Sequence, residues 1–220
     1  MSAHRQLLRQ ALRAVLPEDR FLVRGPSGNG GIALTFDDGP HPEITPRLLD
    51  ALAQHQVRAT FFLIGREAER FPALIGRMLR EGHAVGHHSW THSEPAETTA
   101  ATLLAEVRRC QELLAAYGAG ISDRFRPPKG QLTAVKLARL LGARQRVILW
   151  SADPKDYQLE SEAPLLAWVN GAPLASGDIV LLHDTKPHCL AVLPALVERA
   201  RALGQPLVSL DAWLPPVAVA

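Results

Sequence analysis

Short apolar, β-branched or aromatic runs recur along the chain, separated by longer amphipathic stretches. The runs are GIALTF (31–36), ATFFLIG (59–65), AVGHHS (84–89), RFRPP (124–128), RVILWSAD (146–153), DIVLLHD (178–184) and PLVSL (206–210). Each has the length of a strand buried on both faces, which gives seven expected strands. Between them lie PEITPRLLDALAQHQ (42–56), REAERFPALIGRMLREG (66–82), TTAATLLAEVRRCQELLAAYG (98–118), QLTAVKLARLLG (131–142), SEAPLLAWVNGA (161–172) and PHCLAVLPALVERARALG (187–204), which read as helices. Alternating strands and helices predict an α/β fold in which parallel strands are joined by right-handed crossovers. Seven such units suggest a closed barrel or a strongly curved sheet, with the chemistry where strands end.

The chain has 220 residues and 47% hydrophobic content, enough for one large core rather than two small ones. The glycine-rich stretch GPSGNGG (25–31) divides it into a lead-in over 1–30, with an N-terminal helix, and a catalytic domain over 31–220. That stretch has no Walker lysine and precedes a strand rather than a helix, so it is not a phosphate loop. A formal charge of +2 with scattered basic residues gives nucleic acid little to act on, and no nucleic-acid partner is expected. Two cysteines, Cys110 and Cys189, do not make a disulfide framework, and both read as packing residues. The first twenty residues lack the unbroken apolar core of a signal peptide, and a cytoplasmic location is the expectation. Leu7, Leu8, Ala11, Leu12, Val15 and Leu16 recur at helical spacing among arginines. Such a helix can rest on a membrane surface as a peripheral contact, although packing on its own domain is the stronger reading.

Ionisable residues gather at the expected strand ends. Asp37 and Asp38 follow GIALTF; His87, His88 and His92 follow AVG; Arg126 follows RF; Asp153 and Asp156 follow RVILWSA; His183 and Asp184 follow DIVLL. Solubility alone gives no reason to place carboxylates and imidazoles after five separate apolar runs, so one polar rim is predicted. Adjacent carboxylates leave an extended chain in different directions, so Asp37 and Asp38 can serve different partners. DDG alone is more often a solvated turn. His88 and His92, with one carboxylate, form the mixed nitrogen and oxygen set that suits zinc with positions left open. The segment is not an HExxH helix, because no glutamate follows the first histidine and Gly86 and Pro95 flank it. His87 reads as supporting or structural. His183, at the mouth of the site, suits a general acid whose charge Asp156 can favour.

Five segments in this order, TFDDGP (35–40), HSWTH (88–92), RPPKG (126–130), DPKDY (153–157) and LLHD (181–184), resemble the polysaccharide deacetylase family, across about residues 31–212. The resemblance implies a distorted (β/α) barrel of about seven strands. It implies Asp37 as general base, tuned by Arg126, and Asp38, His88 and His92 as ligands of a divalent metal ion such as Zn2+. It also implies His183 as general acid paired with Asp156, a backbone donor near Lys129, and Trp150 and Leu181 around the acyl methyl group. Two positions depart from the family pattern: Lys129 stands where tyrosine is usual, and Tyr157 where tryptophan is usual. The implied partner is a carbohydrate carrying an N-acylated amino sugar, and the implied reaction is hydrolysis of an N-acetyl group. Alternatives are a deacylase or deformylase of a lipid-linked amino sugar, and a non-catalytic carbohydrate-binding protein of the same fold.

Overall fold

The computed structural model describes residues 12, 14–25, 30–118 and 123–214. Among them, eight strands form a single parallel sheet: β1 (Phe21–Leu22), β2 (Ile32–Asp37), β3 (Thr60–Leu63), β4 (Ala84–His87), β5 (Arg124–Phe125), β6 (Arg146–Ile148), β7 (Ile179–His183) and β8 (Leu207–Val208). The spatial order is β1-β6-β5-β4-β3-β2-β7, and β8 also pairs with β2. Residues of β2 to β5 and β7 are fully buried, as expected for strands covered on both faces. The curled sheet with outer helices is the expected distorted barrel.

The helices are α1 (Ile44–Gln54), α2 (Gly65–Arg70), α3 (Pro72–Arg80), α4 (Ala100–Ala115), α5 (Ala134–Gly142), α6 (Ala163–Gly171) and α7 (His188–Ala202). The stretch at 66–82, expected as one helix, is two. Pro72 disfavours helical geometry at the residue before it, and Phe71 sits at φ −125°, ψ 57°, ending α2 and starting α3. Thr99 and Thr133 cap α4 and α5 by accepting the backbone N–H of Thr102 and Lys136.

The largest apolar cluster lies between the sheet and helices α1, α3, α6 and α7, with Phe36 stacked on Phe61 at 5.3 Å. A second cluster joins α4 and α5 to β1, β5 and β6. The lead-in takes part in it. Phe21–Leu22, too short to carry a periodic signal, pairs with β6, and Leu12 and Leu16 pack against the same cluster. The rest of the proposed membrane-facing helix, residues 1–11 and 13, lies outside the described residues, as do 26–29 of the glycine-rich stretch. No helix among the described residues is long and apolar enough to cross a membrane. Both cysteines are buried and unpaired, consistent with packing.

Candidate active site

The parallel register brings the polar strand ends into line. Asp37, the last residue of β2, pairs with His183, the last residue of β7, while His87 of β4 pairs with Leu63 and Phe125. Beyond these ends a cleft of about 570 Å3 opens, bordered by Asp37, Asp38, His88, His92, Lys129, Trp150, Asp153, Tyr157, Leu181 and His183. Nine of the eleven residues singled out from the sequence for catalytic, metal-holding or substrate-holding roles therefore share one cavity. The other two, Arg126 and Asp156, are fully buried directly behind it.

Asp37 and Arg126 form a buried pair. Nη1 of Arg126 donates to Asp37 Oδ1 at 2.7 Å and to Thr35 Oγ1 at 2.8 Å, and Nη2 donates to the Leu149 carbonyl at 3.1 Å. The guanidinium also lies 4.1 Å from the centre of the Phe62 ring and 5.7 Å from that of Trp150. Its orientation is therefore fixed from several sides, which holds Asp37 in place. Burial lifts the Asp37 carboxyl above its usual range, against the opposing pull of Arg126 and His183. That makes the carboxylate a better proton acceptor.

Asp38 turns the other way, with φ 75°, and meets three imidazoles. Its Oδ1 lies 3.6 Å from His88 Nε2 and 3.5 Å from His92 Nε2, and its Oδ2 lies 4.0 Å from His183 Nε2. Ligand atoms of Asp38, His88 and His92 all lie within 4.8 Å of one another. His88 Nδ1 is 2.7 Å from the Arg126 carbonyl, which can only accept, so the ring proton sits on Nδ1. Burial drives the His88 pKa down to about 3, so the ring is neutral at ordinary pH. Its Nε2 lone pair therefore faces Asp38, and Asp37 Oδ2 at 3.7 Å, with no proton between them. Asp38 Oδ1 is itself buried without a hydrogen-bond partner. Lone pairs converging from a neutral imidazole and a carboxylate repel one another unless a positive charge lies between them.

His183 is built differently. Its Nδ1 lies 2.7 Å from Asp156 Oδ1, and its backbone N–H donates to Asp156 Oδ2 at 2.8 Å, so one carboxylate holds both ring and backbone. Burial acts to lower the His183 pKa, but the hydrogen bond and charge of Asp156, with Asp37 and Asp38 beyond, hold it at about 9. The ring is thus protonated at neutral pH, with Nε2–H toward the cleft. Tyr157 packs edge-on against it, with ring centres 5.2 Å apart.

Local backbone strain collects at the same place. Seven non-glycine residues among those described have positive φ; four of them, Asp38, His92, Lys129 and Lys155, border the cleft, and a fifth, Ser89, directly follows His88. Such conformations cost about 1 to 3 kcal/mol each and persist only where the surroundings enforce them. The enforcing contacts come partly from residues that the strand-end pattern did not reveal, Glu106 and Arg109, and partly from Asp184, which it did. Glu106 of α4 accepts the backbone N–H groups of Trp90 and Thr91 and the Thr91 hydroxyl, pinning the loop that carries His92. Arg109 covers the Trp90 ring at 3.5 Å, and a Cβ on Gly65 would come within 2.4 Å of that ring. Asp184 accepts the Thr45 hydroxyl at 2.6 Å and lies so close to Gly39 that a side chain there would meet its carboxylate at 2.2 Å. Thr35 carried a weak signal, a hydroxyl amid an apolar run; Glu106 carried none.

His87 is not among the residues bordering the cleft and pairs through Nε2 with Gln145 at 2.9 Å, as a structural residue would. Lys129 lines the cleft, and its ammonium group pairs with Glu94. Trp150 and Leu181 supply apolar wall beside Asp37.

A family model described as polysaccharide deacetylase matches residues 24–145. A peptidoglycan-N-acetylglucosamine deacetylase of Bacillus cereus is 36% identical over 166 residues, which are 75% of this chain and 60% of that protein. The chain thus spans about 60% of that relative's length, less than two thirds. A chitooligosaccharide deacetylase of a Bradyrhizobium species is 39% identical over 166 residues, 73% of this chain and 74% of that one. Among solved structures, a peptidoglycan N-acetylglucosamine deacetylase in complex with 4-naphthalen-1-yl-N-oxidanyl-benzamide superposes with a TM-score of 0.82 at 29% identity. That match covers 90% of this chain and 94% of that one.

Proposed function

The chain belongs to the polysaccharide deacetylase family, and from that membership we propose that it is a metal-dependent hydrolase removing the N-acetyl group from an amino sugar within an oligosaccharide or polysaccharide. One observation carries the metal dependence. His88 Nε2, stripped of its proton by the Nδ1 contact to the Arg126 carbonyl, faces the partnerless Oδ1 of Asp38 at 3.6 Å. Those residues fit a divalent cation and little else. Asp38, His88 and His92 would hold it, and a set of one carboxylate and two imidazoles with positions left open suits zinc. When bound, such an ion supplies Lewis acidity to the acyl carbonyl and to the attacking water.

The chain's own groups account for the proton movements. Asp37, raised in basicity by burial and held still by Arg126, takes the proton from the attacking water. A lone carboxylate at that depth would swing or protonate; the guanidinium prevents the first and limits the second. His183, charged at neutral pH, gives its Nε2 proton to the departing amine, and Asp156 keeps the ring in the orientation that aims that proton into the cleft. The acyl methyl group would rest against Trp150 and Leu181, and a backbone amide near Lys129 would share the developing oxyanion charge. Tyr157 would form the outer wall, more polar than the tryptophan usual in the family.

The test is acetate release from chitooligosaccharides and from peptidoglycan fragments, using protein stripped by a chelator and then restored with zinc. Release that disappears on stripping and returns with zinc is expected. No release from either substrate with zinc restored would contradict the assignment.

A further inference from the structure

The cleft does not end at the cation-holding group. Past Asp38 and His92 a second lobe of about 560 Å3 opens, lined by His41, Arg66, Glu67, Arg70, Phe71 and Thr185. The two lobes share Asp38 and His92, so the reacting position lies between them, and a chain-like substrate can lie across it.

The lobes differ in charge. The first sets Asp37, Asp38 and Asp153 against Lys129 and Lys155. Beyond the shared wall, the second sets two guanidiniums against one carboxylate. Arg66 Nε lies 3.3 Å from one oxygen of Glu67, and Arg70 Nη1 lies 2.7 Å from the other. Glu67 therefore spreads one negative charge over two cations and leaves most of their ten N–H donors for other acceptors. His41 adds to the excess. Its Nδ1 accepts the backbone N–H groups of Glu43 and Ile44, both at 3.2 Å, which places its proton on Nε2 as a further donor. Phe71, with the Arg70 guanidinium 5.1 Å from its ring centre, gives the lobe an apolar floor of the kind a sugar face packs on.

We infer that this second lobe binds a sugar bearing a carboxylate, next to the amino sugar that loses its acetyl group, with Arg66 and Arg70 gripping the acid. The inference rests on the proposed deacetylation and narrows it, because it favours a substrate that alternates amino sugar with acidic sugar over a uniform neutral chain. Planar guanidiniums suit a carboxylate because two parallel N–H groups can meet its two oxygens. Both arginines are more than half exposed, so their replacement leaves the core untouched.

The experiment compares two oligosaccharides of equal length. One is built only of N-acetylglucosamine, and the other alternates it with an amino sugar carrying a lactyl-ether carboxylate. The ratio of kcat/KM on the acidic chain to that on the neutral chain is measured for the wild type and for an Arg66→Gln/Arg70→Gln variant. The wild type is expected to favour the acidic chain, and the ratio to fall about tenfold in the variant. Loss of the same factor on both chains, or an unchanged ratio, would overturn the inference. Acetate release from neither chain would sink the deacetylase reading instead. Calorimetric binding of the two chains then decides the lobe: a preference for the acidic chain that the variant loses upholds it, and equal affinities overturn it.

Discussion

The two ends of β4 each carry a buried histidine, and the contrast between them separates a structural imidazole from the one proposed to hold a cation. His83, just before the strand, accepts the Ala59 N–H on Nδ1 at 3.1 Å, so its proton sits on Nε2, which lies 3.8 Å from the Glu81 carboxylate. His88, just past the other end, has its proton on Nδ1 and turns a bare nitrogen toward Asp38 and Asp37. Burial lowers both pKa values, to about 4 and about 3, so both rings are neutral. The difference lies in what each nitrogen faces. At His83 the bare nitrogen meets a donor, the Ala59 N–H; at His88 two acceptors meet each other, an arrangement that costs free energy unless a cation resolves it. A depressed pKa therefore does not identify the site, and the mismatch of lone pairs does.

Replacing the two histidines should give opposite results. His88→Ala is expected to weaken zinc binding at least about 100-fold and to remove turnover, while the melting temperature of the chelator-treated protein holds or rises as an unresolved repulsion is relieved. Metal content by atomic emission and unfolding by circular dichroism read both effects. Full zinc occupancy in that variant would break the comparison. Asp37→Asn comes next: zinc is retained, and kcat falls about 1,000-fold because the amide cannot take the proton. Near-normal turnover would remove Asp37 as the base.

A smaller effect concerns His183, whose Asp156 partner fixes a charged ring as the Ala59 N–H fixes the neutral ring of His83. The proton donor must be protonated, so kcat/KM should fall as pH rises through about 9. Asp156→Asn keeps an acceptor for Nδ1 but removes the charge, so this alkaline limb should move to lower pH by about one unit or more. A limb that stays in place would show that a different group titrates.

Much of this was legible along the chain because apolar runs end abruptly in ionisable residues. A strand buried on both faces can carry such residues only where it leaves the sheet, so Asp37, His88, Arg126 and His183 announce the rim on which they meet. The contacts that hold the rim were not legible in the same way. Glu106 sits within an ordinary amphipathic helix, and its grip on Trp90 and Thr91 depends on how α4 packs. Asp184 follows His183 directly, yet its contact with Thr45 crosses 139 positions. Phe21–Leu22 is too short for any periodicity to show, and the apolar spacing continues on either side of Pro72, which masks the break between α2 and α3. Local pattern reports where a side chain leaves the core; which partner waits there is a matter of topology.

The weakest expected effect belongs to His83, and it sharpens the contrast from the structural side. Its pKa is lower in the folded protein than the unperturbed value of about 6.5, so the unfolded chain binds the extra proton more readily. The stability held by the neutral ring is therefore present in full above about pH 6.5 and lost as pH falls toward about 4. The gap between those values corresponds to at most about 3 kcal/mol. His83→Gln keeps an oxygen able to accept the Ala59 N–H but cannot be charged. Unfolding free energy measured against pH should then drop less steeply between 6.5 and 4 in the variant than in the wild type, with zinc content and turnover at neutral pH unaltered. Parallel curves would mean that protonation of His83 contributes nothing to acid sensitivity. A loss of zinc would mean that the two ends of β4 are coupled, and that the division between a structural and a working histidine is too sharp.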